Sequence, residues 1–415
     1  MPAPSRVRST VLAAAAAVLS LSAVVSNRAL DDWPQWRGPK RDGVSAEKGL
    51  LKDWPARGPA LAWQVGGAGD GYSSFAVVGG RFYTLGARGG AEYVMAFDAA
   101  TGRKVWEVVH GARFGNDRGD GPRATPTVEG DRLYAYGASG DIAALELATG
   151  KVIWQKNVVR DFGGSNIQWG LSESPLVLND RILINAGGRG ASIIALNKAN
   201  GSLLWKSESD EAGYSSPVLL ELAGRQQAIF FTGQRALGID VRTGNVLWSY
   251  AQVANNTANV ATPIVRGNRV FLSSDYGTGA ALLELTPKGD ALAARQVYFT
   301  REMRNHHASS VLVGDYLYGF SSAILTAMRF DTGEVAWRDR SVGKGSVIYA
   351  DDRLYLYSET GVVGLAEASA TGYREHGRFQ IQSGNLPTWS HPVVSGGKLF
   401  IRDQDRIYAY NVSAK

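Results

Sequence analysis

The chain has 415 residues, including 50 Gly, 11 Trp and 17 Tyr, with no Cys and a formal net charge of +6. The lack of Cys excludes structural disulfides, thiolate nucleophiles, Cys-based zinc sites, covalent haem attachment and a lipid anchor on an N-terminal Cys. Basic residues are interspersed with Asp and Glu, whereas nucleic-acid-binding proteins usually cluster Lys and Arg on one face. We therefore expect no nucleic-acid partner.

The first residues have the pattern of an export signal. Arg6 and Arg8 precede an apolar run at residues 11–25, and small residues follow. This pattern predicts a secretory signal peptide over residues 1–29, and an uncleaved N-terminal anchor is the alternative. No later segment approaches the roughly 20 apolar residues of a membrane helix. We expect a monomeric protein that is periplasmic or secreted, without a transmembrane segment in the mature chain.

A repeated unit begins after a lead-in segment at residues 30–58. The unit is eleven residues long and places a Trp four residues after a Gly. One supersecondary unit cannot bury its own faces, so such units must stack on their neighbours. Copies of the unit occupy residues 96–106 (AFDAATGRKVW), 144–154, 195–205, 238–248 and 327–337.

The full repeat contains four short apolar runs separated by Gly, Asp or polar turns. Alternating runs of this kind predict antiparallel strands joined by hairpins. Four strands in about 45 residues are typical of a propeller blade. The sequence predicts an all-β fold, an eight-bladed β-propeller of four-stranded antiparallel blades over residues 59–415. The units start near Tyr72, Arg123, Ser172, Tyr214, Val260, Ala308, Lys344 and Trp389.

The last unit holds only enough residues for three strands. The run at residues 61–64 near the N-terminus resembles an isolated fourth strand and contains Trp63. We predict that this N-terminal strand completes the last blade and closes the ring. Closure leaves only short, protected strand edges.

Alignment of the units shows two columns of equivalent residues. The outer column contains large rings that we interpret as structural docking residues between blades. Its Trp members are Trp63, Trp106, Trp154, Trp205, Trp248 and Trp337, with Ala293 in the fifth unit and His376 in the seventh. The inner column carries a hydroxyl in seven of eight units and is interpreted as a hydrogen-bonded scaffold. Its members are Ser74, Thr125, Ser174, Ser216, Thr262, Ser310, Ser346 and His391.

The pattern Ala-x-Asp-x-x-Thr-Gly-x-x-x-Trp, which is complete at residues 96–106, resembles the tryptophan-docking motif of the pyrroloquinoline quinone (PQQ) repeat propellers. Residues 33–39 and 41–43 resemble the opening of secreted PQQ-like propeller proteins of unassigned function. The resemblance covers essentially the whole mature chain. That family includes quinoprotein alcohol dehydrogenases, which bind PQQ and calcium. It also includes non-catalytic members such as the BamB-like propeller of outer-membrane barrel assembly.

The sequence departs from both branches. The dehydrogenases typically place a vicinal disulfide over the quinone, and the assembly lipoproteins are anchored through Cys, yet this chain has no Cys. We therefore predict an exported, non-catalytic propeller that acts as a binding or scaffold module for a protein, peptide or envelope polymer, with no cofactor. The alternative is a PQQ-dependent alcohol dehydrogenase-like quinoprotein that binds PQQ and calcium at an atypical, cysteine-free site.

The candidate ligand-binding residues lie near the axial funnel, because loops from several blades converge there. They are Glu173, Trp169, Arg123, His307, Trp389 and His391. Glu173 is the only carboxylate at its position in the units, and pairing with Arg123 is its structural alternative. Trp169 and Trp389 are placed to stack on a sugar, a quinone or an apolar peptide residue, or else to pack their own loops.

The histidines near the inner strands do not predict a metal site. Adjacent strand residues point to opposite sides, so His306 and His307 cannot easily share one ion, and His391 lies two units further on. Structural zinc normally has four ligands and catalytic zinc three, so we interpret these histidines as hydrogen-bonding groups at the channel mouth. No G-x-S-x-G element or dinucleotide fingerprint occurs, which favours a non-enzymatic function.

Overall fold

The computed structural model describes residue 1 and residues 32–414. Apart from residue 1, the predicted signal peptide lies outside the described residues. Within the described part, no helix is long and apolar enough to cross a membrane. The single helix described, α1 (Val158–Phe162), begins after Asn157, whose side chain accepts backbone N–H groups, and ends at Gly163 in the left-handed conformation.

The strands of the described region form eight sheets, and successive strands within each sheet pair antiparallel. This arrangement confirms the predicted eight-bladed β-propeller. Before the first complete blade come β1 (Val44–Ser45) and β2 (Ala60–Val65). From the axis outwards, blade 1 comprises β3 (Ala76–Val78), β4 (Arg81–Arg88), β5 (Ala91–Asp98) and β6 (Lys104–Ala112).

The next three blades follow in chain order. Blade 2 comprises β7 (Thr127–Glu129), β8 (Arg132–Tyr136), β9 (Asp141–Glu146) and β10 (Val152–Asn157). Blade 3 comprises β11 (Leu176–Leu178), β12 (Arg181–Gly188), β13 (Ala191–Asn197) and β14 (Leu203–Ser207). Blade 4 comprises β15 (Val218–Leu222), β16 (Arg225–Phe231), β17 (Ala236–Asp240) and β18 (Val246–Tyr250).

The remaining blades complete the ring. Blade 5 comprises β19 (Ile264–Arg266), β20 (Arg269–Ser274), β21 (Gly279–Lys288) and β22 (Ala291–Thr300). Blade 6 comprises β23 (Val311–Val313), β24 (Tyr316–Ser321), β25 (Ile324–Arg329) and β26 (Val335–Asp339). Blade 7 comprises β27 (Gly345–Ala350), β28 (Arg353–Ser358), β29 (Val362–Glu367) and β30 (Glu375–Gln380), and blade 8 contains β31 (Val393–Ser395), β32 (Lys398–Asp403) and β33 (Arg406–Asn411).

The ring closes through the N-terminal strand, as predicted. Strand β2 pairs antiparallel with β33, so the last blade has the strand order β2-β33-β32-β31. Trp63 lies opposite Ala409 in this pairing. One blade is therefore built from both ends of the propeller sequence.

The repeated motif is explained by its contacts. Asp98 begins the turn after β5, where its Oδ1 accepts the Thr101 N–H at 2.9 Å and the Thr101 hydroxyl at 2.7 Å. Gly102 follows with φ of 73°, and a Cβ there would lie 2.7 Å from the Trp63 ring. The position needs Gly for its backbone conformation and for the close approach of the Trp from the preceding blade.

The Trp side chains of the outer column reach the next blade. Trp63 Nε1 donates to the Ala99 carbonyl at 3.2 Å, and Trp154 Nε1 donates to the Lys198 carbonyl at 3.0 Å. Trp248 differs, because its Nε1 donates to Gln227 Oε1 in its own blade at 2.6 Å. The other three rings donate to carbonyls of the following blade: Trp106 to Leu147, Trp205 to Val241 and Trp337 to Ser369.

The sequence alignment was wrong at two positions of this column. In blade 5 the ring opposite Leu282 belongs to Tyr298, not to Ala293, and the Tyr298 hydroxyl donates to the Phe330 carbonyl at 2.8 Å. Strands β21 and β22 are ten residues each, which moves the ring further from the hairpin turn. In blade 7 the residue opposite Leu365 is Gly377 rather than His376. Trp54 of the lead-in segment packs against this glycine.

Residues 33–45 of the lead-in segment lie at the propeller axis. Trp33 bridges to Val77 on the inner strand of blade 1. Eleven residues later, β1 pairs in parallel with β27, the inner strand of blade 7, where Val44 lies opposite Tyr349. We call residues 33–45, which run between the inner strands of blades 1 and 7, the plug.

Two buried arginines fasten this plug. The Arg37 guanidinium donates to the Ser310 carbonyl at 2.6 Å, and the Arg41 guanidinium donates to the Pro217 carbonyl at 2.8 Å. Both residues have φ of 58°, a left-handed conformation that costs free energy outside Gly and must be held by its surroundings. Burial lowers the pKa of Arg37 to about 10 and that of Arg41 to about 9. Both remain charged at neutral pH.

Hydroxyl side chains of the inner column connect adjacent blades. The Ser174 Oγ accepts the Thr125 N–H, and the Ser216 Oγ accepts the Ser174 N–H, both at 2.9 Å. These bonds satisfy backbone donors just before the inner strands of blades 2 and 3, where the sheet ladder does not reach.

Ring closure gives the first testable prediction. Deletion of residues 59–64 removes almost all of β2, so β33 becomes an exposed edge and the Trp63 ring no longer covers the Gly102 turn. We expect Tm to fall by about 5 °C or more relative to the mature chain, measured by circular dichroism. An unchanged Tm would contradict closure by this strand.

Glu173 gives a second prediction, because it is buried with 1% exposure and one carboxylate oxygen accepts the Asn185 N–H at 2.6 Å. Burial raises its pKa to about 8, partly offset by the charge of Arg41. Because the folded pKa exceeds the unfolded value of about 4.3, stability falls as pH rises between these values and stays lower above pH 8. We expect Glu173→Gln to raise Tm by at least about 2 °C at pH 9 and by less at pH 4.

The control for this prediction is Asp131→Asn, since the Asp131 side chain is 98% exposed. Thermal melts of the three proteins at both pH values should show no pH-dependent difference for Asp131→Asn. If Glu173→Gln has the same effect on Tm at both pH values, the raised pKa is wrong.

Candidate functional site

A cavity of about 650 Å³ opens on the axis, among the loops that lead into the inner strands. Every blade contributes at least one lining residue, and the plug contributes Trp36. The loops of one propeller face therefore converge on this cavity, which is the usual place for a ligand site in such a fold.

Trp36 lies at the plug side of the cavity. Its Nε1 donates to Thr262 Oγ1 at 2.9 Å, which fixes the ring against the inner strand of blade 5. The ring centroid lies 4.5 Å from that of His391. The sequence reasoning did not single out Trp36. The dense aromatic and basic composition of residues 33–41, which follows no repeat, was the available signal.

Aromatic pairs form much of the wall. Trp169 and Tyr214 have ring centroids 5.6 Å apart, and Tyr72 and Trp389 have centroids 5.1 Å apart. All four residues line the cavity. Trp169 and Trp389 are half-buried, and the Trp389 ring centroid also lies 6.0 Å from that of His307, so part of each Trp ring is exposed to the cavity. The cavity therefore offers flat apolar surfaces to a ligand.

Arg123 brings a positive charge into this aromatic cavity. One guanidinium nitrogen donates to the Gly119 carbonyl at 2.6 Å, and the group lies 5.7 Å from the Tyr72 ring centroid. Burial lowers its pKa, although the group remains charged at neutral pH. Across the described residues, the ion pairs found do not include Arg123. Its charge is available to an anionic group.

The other charges of the lining are largely paired. Lys344 Nζ lies 3.2 Å from Glu359 Oε1, and Trp389 Nε1 donates to Glu359 Oε2 at 2.8 Å. Glu359 is the only carboxylate among the lining residues that the structure describes. Because Lys344 compensates the charge of Glu359, the charge of Arg123 makes the cavity positive overall.

Two histidines of the lining are buried and neutral. Burial, reinforced by the charge of Arg37, lowers the pKa of His391 to about 3. Burial also lowers the pKa of His307 well below its usual value. Within the described region, none of their ring nitrogens makes a hydrogen bond of ordinary geometry. The His391 ring also interacts with the backbone of His307, whereas the neutral His307 imidazole has one donor and one acceptor available.

The structure thus brings together five of the six predicted funnel residues: Trp169, Arg123, His307, Trp389 and His391. Glu173 is different, because it points away from the cavity lining toward the backbone of β12. Its suggested pairing with Arg123 is wrong, since the cation whose charge acts on it is Arg41 of the plug. The repeat alignment could not predict this contact, because the plug lies outside the repeat units.

The described residues do not fit a calcium–quinone pair. Calcium requires six to eight oxygen ligands, usually with several carboxylates. Among the lining residues, Glu359 is already engaged by Lys344 and Trp389. Across residues 32–414, no group of three or more His, Asp or Glu is placed to hold a metal ion.

Comparisons with known proteins agree with this architecture. BamB of Shewanella oneidensis, an outer membrane protein assembly factor, is 24% identical over 349 residues, which cover 71% of this chain and 86% of the relative. The crystal structure of BamB from Moraxella catarrhalis superposes with a TM-score of 0.63 at 14% identity, covering 85% of this chain and 99% of that chain. The latter similarity concerns the fold.

An enzyme relative matches a shorter part. Quinoprotein alcohol dehydrogenase PedH of Pseudomonas putida is 29% identical over 119 residues, which cover 27% of this chain and 19% of the relative. In contrast, the family model described as "Outer membrane protein assembly factor BamB" matches residues 90–339. That match covers more than half of the chain, and so the chain belongs to this family of PQQ-repeat, BamB-like β-propellers.

Proposed function

We propose that the chain is an exported, non-catalytic scaffold that binds a partner protein in the cell envelope. The observation that carries this proposal is a row of exposed apolar side chains on the outermost strands of blades 8, 1, 2 and 3. We call this row the apolar belt. Its members are 38–56% exposed: Leu61, Val105, Val109, Ile153, Leu203 and Leu204.

The belt lies on one side of the ring, and beyond it the outermost strand of blade 5 carries Phe299, which is 38% exposed. At the position before the docking ring, blades 1, 2 and 3 carry Val105, Ile153 and Leu204, all exposed. The equivalent residue of blade 4, Leu247, is only 5% exposed, and that of blade 6 is Ala336. Exposed apolar rows of this kind mark protein interaction sites, because burial against a partner removes them from water.

The family supports a protein partner. The relative from Shewanella oneidensis is named an outer membrane protein assembly factor. A scaffold in such an assembly works in the periplasm, which agrees with the export signal expected at residues 1–29. We therefore propose that this chain acts in the periplasm, with an envelope protein docked on the belt.

Site-specific photo-crosslinking tests the belt. A photoreactive residue at Lys206, which is exposed beside Leu204 on β14, should crosslink to a discrete protein in cells that express the chain from its own gene. The combined substitutions Val105→Asp, Ile153→Asp and Leu204→Asp should reduce the crosslink at least about tenfold. The reason is that three buried apolar contacts are replaced by desolvated charges.

The chain supplies matched controls on the opposite side. Arg338 occupies the same place relative to its Trp as Lys206, and Ala336 the same place as Leu204. A photoreactive residue at Arg338 should give no discrete crosslink, and Ala336→Asp should leave the Lys206 crosslink unchanged. Equal crosslinks at both positions, or a full crosslink in the triple variant, would exclude the belt as the docking surface.

The second candidate function is a PQQ-dependent dehydrogenase, favoured by the similarity to PedH and by the flat Trp36 ring inside the cavity. The test is to add PQQ and Ca²⁺ to the purified mature protein, remove free PQQ, and measure quinone absorbance and dye-linked alcohol oxidation. We expect neither retention nor turnover, because the cavity lacks a converging set of oxygen ligands. Stoichiometric PQQ with turnover would replace the scaffold function with this one.

A further inference from the structure

The axial cavity has features that a protein-docking scaffold does not require. It shares no residue with the apolar belt, and its volume of about 650 Å³ lies within the range of small-molecule sites, roughly 300–1,000 Å³. Arg37 and Arg41 of the plug occupy the axis beyond Trp36. The cavity is therefore a pocket with one opening rather than a through-channel.

We infer that this pocket binds a saccharide that carries a carboxylate, with sugar rings against the aromatic walls and the carboxylate on Arg123. The binding class follows from three independent features of the lining: the flat aromatic faces, the groups that both donate and accept hydrogen bonds, and the cation without a carboxylate partner. Each feature matches one part of an acidic sugar.

The aromatic faces match sugar rings. Tyr276 is 45% exposed, and Trp169 and Trp389 are half-buried with their other sides packed. The C–H groups on one face of a pyranose carry partial positive charge, and the face of an aromatic ring carries partial negative charge. An aromatic ring fixed by its neighbours, as Trp389 is by Tyr72 and Glu359, loses little entropy when it stacks on a ligand.

The hydrogen-bonding groups match hydroxyls. A sugar hydroxyl donates one hydrogen bond and accepts others, so it pairs best with groups that do the same. Neutral His307 and His391 are such groups, and His307 has no hydrogen bond to either ring nitrogen within the described residues, whereas His391 interacts with the His307 backbone. A buried polar group without a partner is costly, and a ligand hydroxyl would remove that cost.

Arg123 matches a carboxylate. Its guanidinium projects into an aromatic surrounding and is held by loop carbonyls, while the carboxylates of Glu92 and Asp120 act on its charge from beyond ion-pair contact. A bound carboxylate would gain a charge-assisted hydrogen bond in a partly desolvated place, where such bonds are strongest. The paired Lys344 and Glu359 nearby add no net charge.

A neighbouring groove extends the site. It has a volume of about 270 Å³ and shares Tyr214, Thr257 and Ala258 with the main cavity. Amide side chains line much of it, including those of Asn166, Gln168 and Asn256, and Glu211 adds a carboxylate, which favours the neutral part of the ligand there. Amides both donate and accept, as hydroxyl recognition requires. The pocket and the groove together have room for more than one sugar ring.

A bound peptide strand is less consistent with the same lining. Extended peptides are recognised mainly through free backbone groups of a sheet edge. Several inner-strand carbonyls that face the axis already accept hydrogen bonds from the plug, among them those of Ser174, Pro217 and Ser310. The remaining groups are side chains suited to rings and hydroxyls.

Tryptophan fluorescence of the purified mature protein tests this inference, because three Trp rings line the pocket. The titrants are glucuronate, digalacturonate and N-acetylmuramate, compared with galactose and N-acetylglucosamine, with 4-hydroxyphenylacetate, and with an acidic hexapeptide. We expect a saturable change with at least one acidic sugar at a Kd of about 1 mM or below, and weaker binding of the neutral sugars. Isothermal titration calorimetry checks the stoichiometry.

Two variants identify the pocket. Arg123→Gln should weaken the acidic sugar about tenfold to a hundredfold, because a hydrogen bond to a charged group is lost, and should leave any neutral sugar nearly unchanged. Tyr276→Ala should weaken acidic and neutral sugars alike. The matched aromatic control is Tyr298→Phe at the blade 5 docking position, outside the cavity lining, which should leave binding unchanged.

The inference is overturned if no acidic sugar saturates the signal below 10 mM, a limit set at about tenfold above the expected Kd. It is also overturned if 4-hydroxyphenylacetate or the peptide binds more tightly than every acidic sugar. The inference is likewise overturned if folded Arg123→Gln binds the acidic sugar with the same affinity as the unaltered protein. Thermal melts establish that each variant is folded. Since the crosslinking experiment depends on the belt, either proposal can fail without the other.

Discussion

The structure depends on how the backbone carbonyls around the propeller axis are satisfied. Eight inner strands converge there, and the edge that an inner strand turns toward the axis has no strand of another blade to pair with. Two guanidinium groups meet this requirement, since Arg37 donates to the carbonyls of Ser309 and Ser310, and Arg41 to those of Ser174 and Pro217. Because Arg has five donors in a rigid plane, two side chains reach carbonyls on several blades.

This constraint links the fold to the pocket. The plug that supplies the two arginines also supplies Trp36, and it continues into β1 against blade 7 and then into the closing strand β2. The same polypeptide segment therefore fills the axis, forms the inner wall of the cavity and leads to ring closure. Changes in the plug should affect stability and ligand binding together, whereas changes on the apolar belt should affect neither.

The fold was predictable from the sequence because each blade carries its own local signals. Asp98 makes the turn, Gly102 permits the close approach of Trp63, and the same relation recurs around the ring. The prediction failed at Tyr298, where the longer β21–β22 hairpin changes the spacing between turn and ring. A fixed sequence interval describes the repeat only while the hairpin length stays constant.

The site was less predictable, because its key contacts join residues that are far apart in the sequence. Five funnel candidates could be found from their positions near the inner strands, yet the contact of Trp36 with Thr262 spans 226 residues and leaves no local pattern. Glu173 broke the repeat for another reason. Its carboxyl group lies in the ring wall, where the charge of Arg41 acts on it. An unusual residue near the axis can therefore interact with the plug rather than with a ligand.

The positions of belt and pocket suggest a physical reason for carrying both on one scaffold. The belt lies on the outer circumference of blades 8, 1, 2 and 3, and the pocket opens on the axis. A protein bound at the rim leaves the axial opening free, so both ligands can be held at once. A rigid ring fixes the distance between them, because each blade is packed against two neighbours and cannot shift alone. Such a scaffold would hold an envelope protein beside an acidic glycan without catalysing a reaction of either.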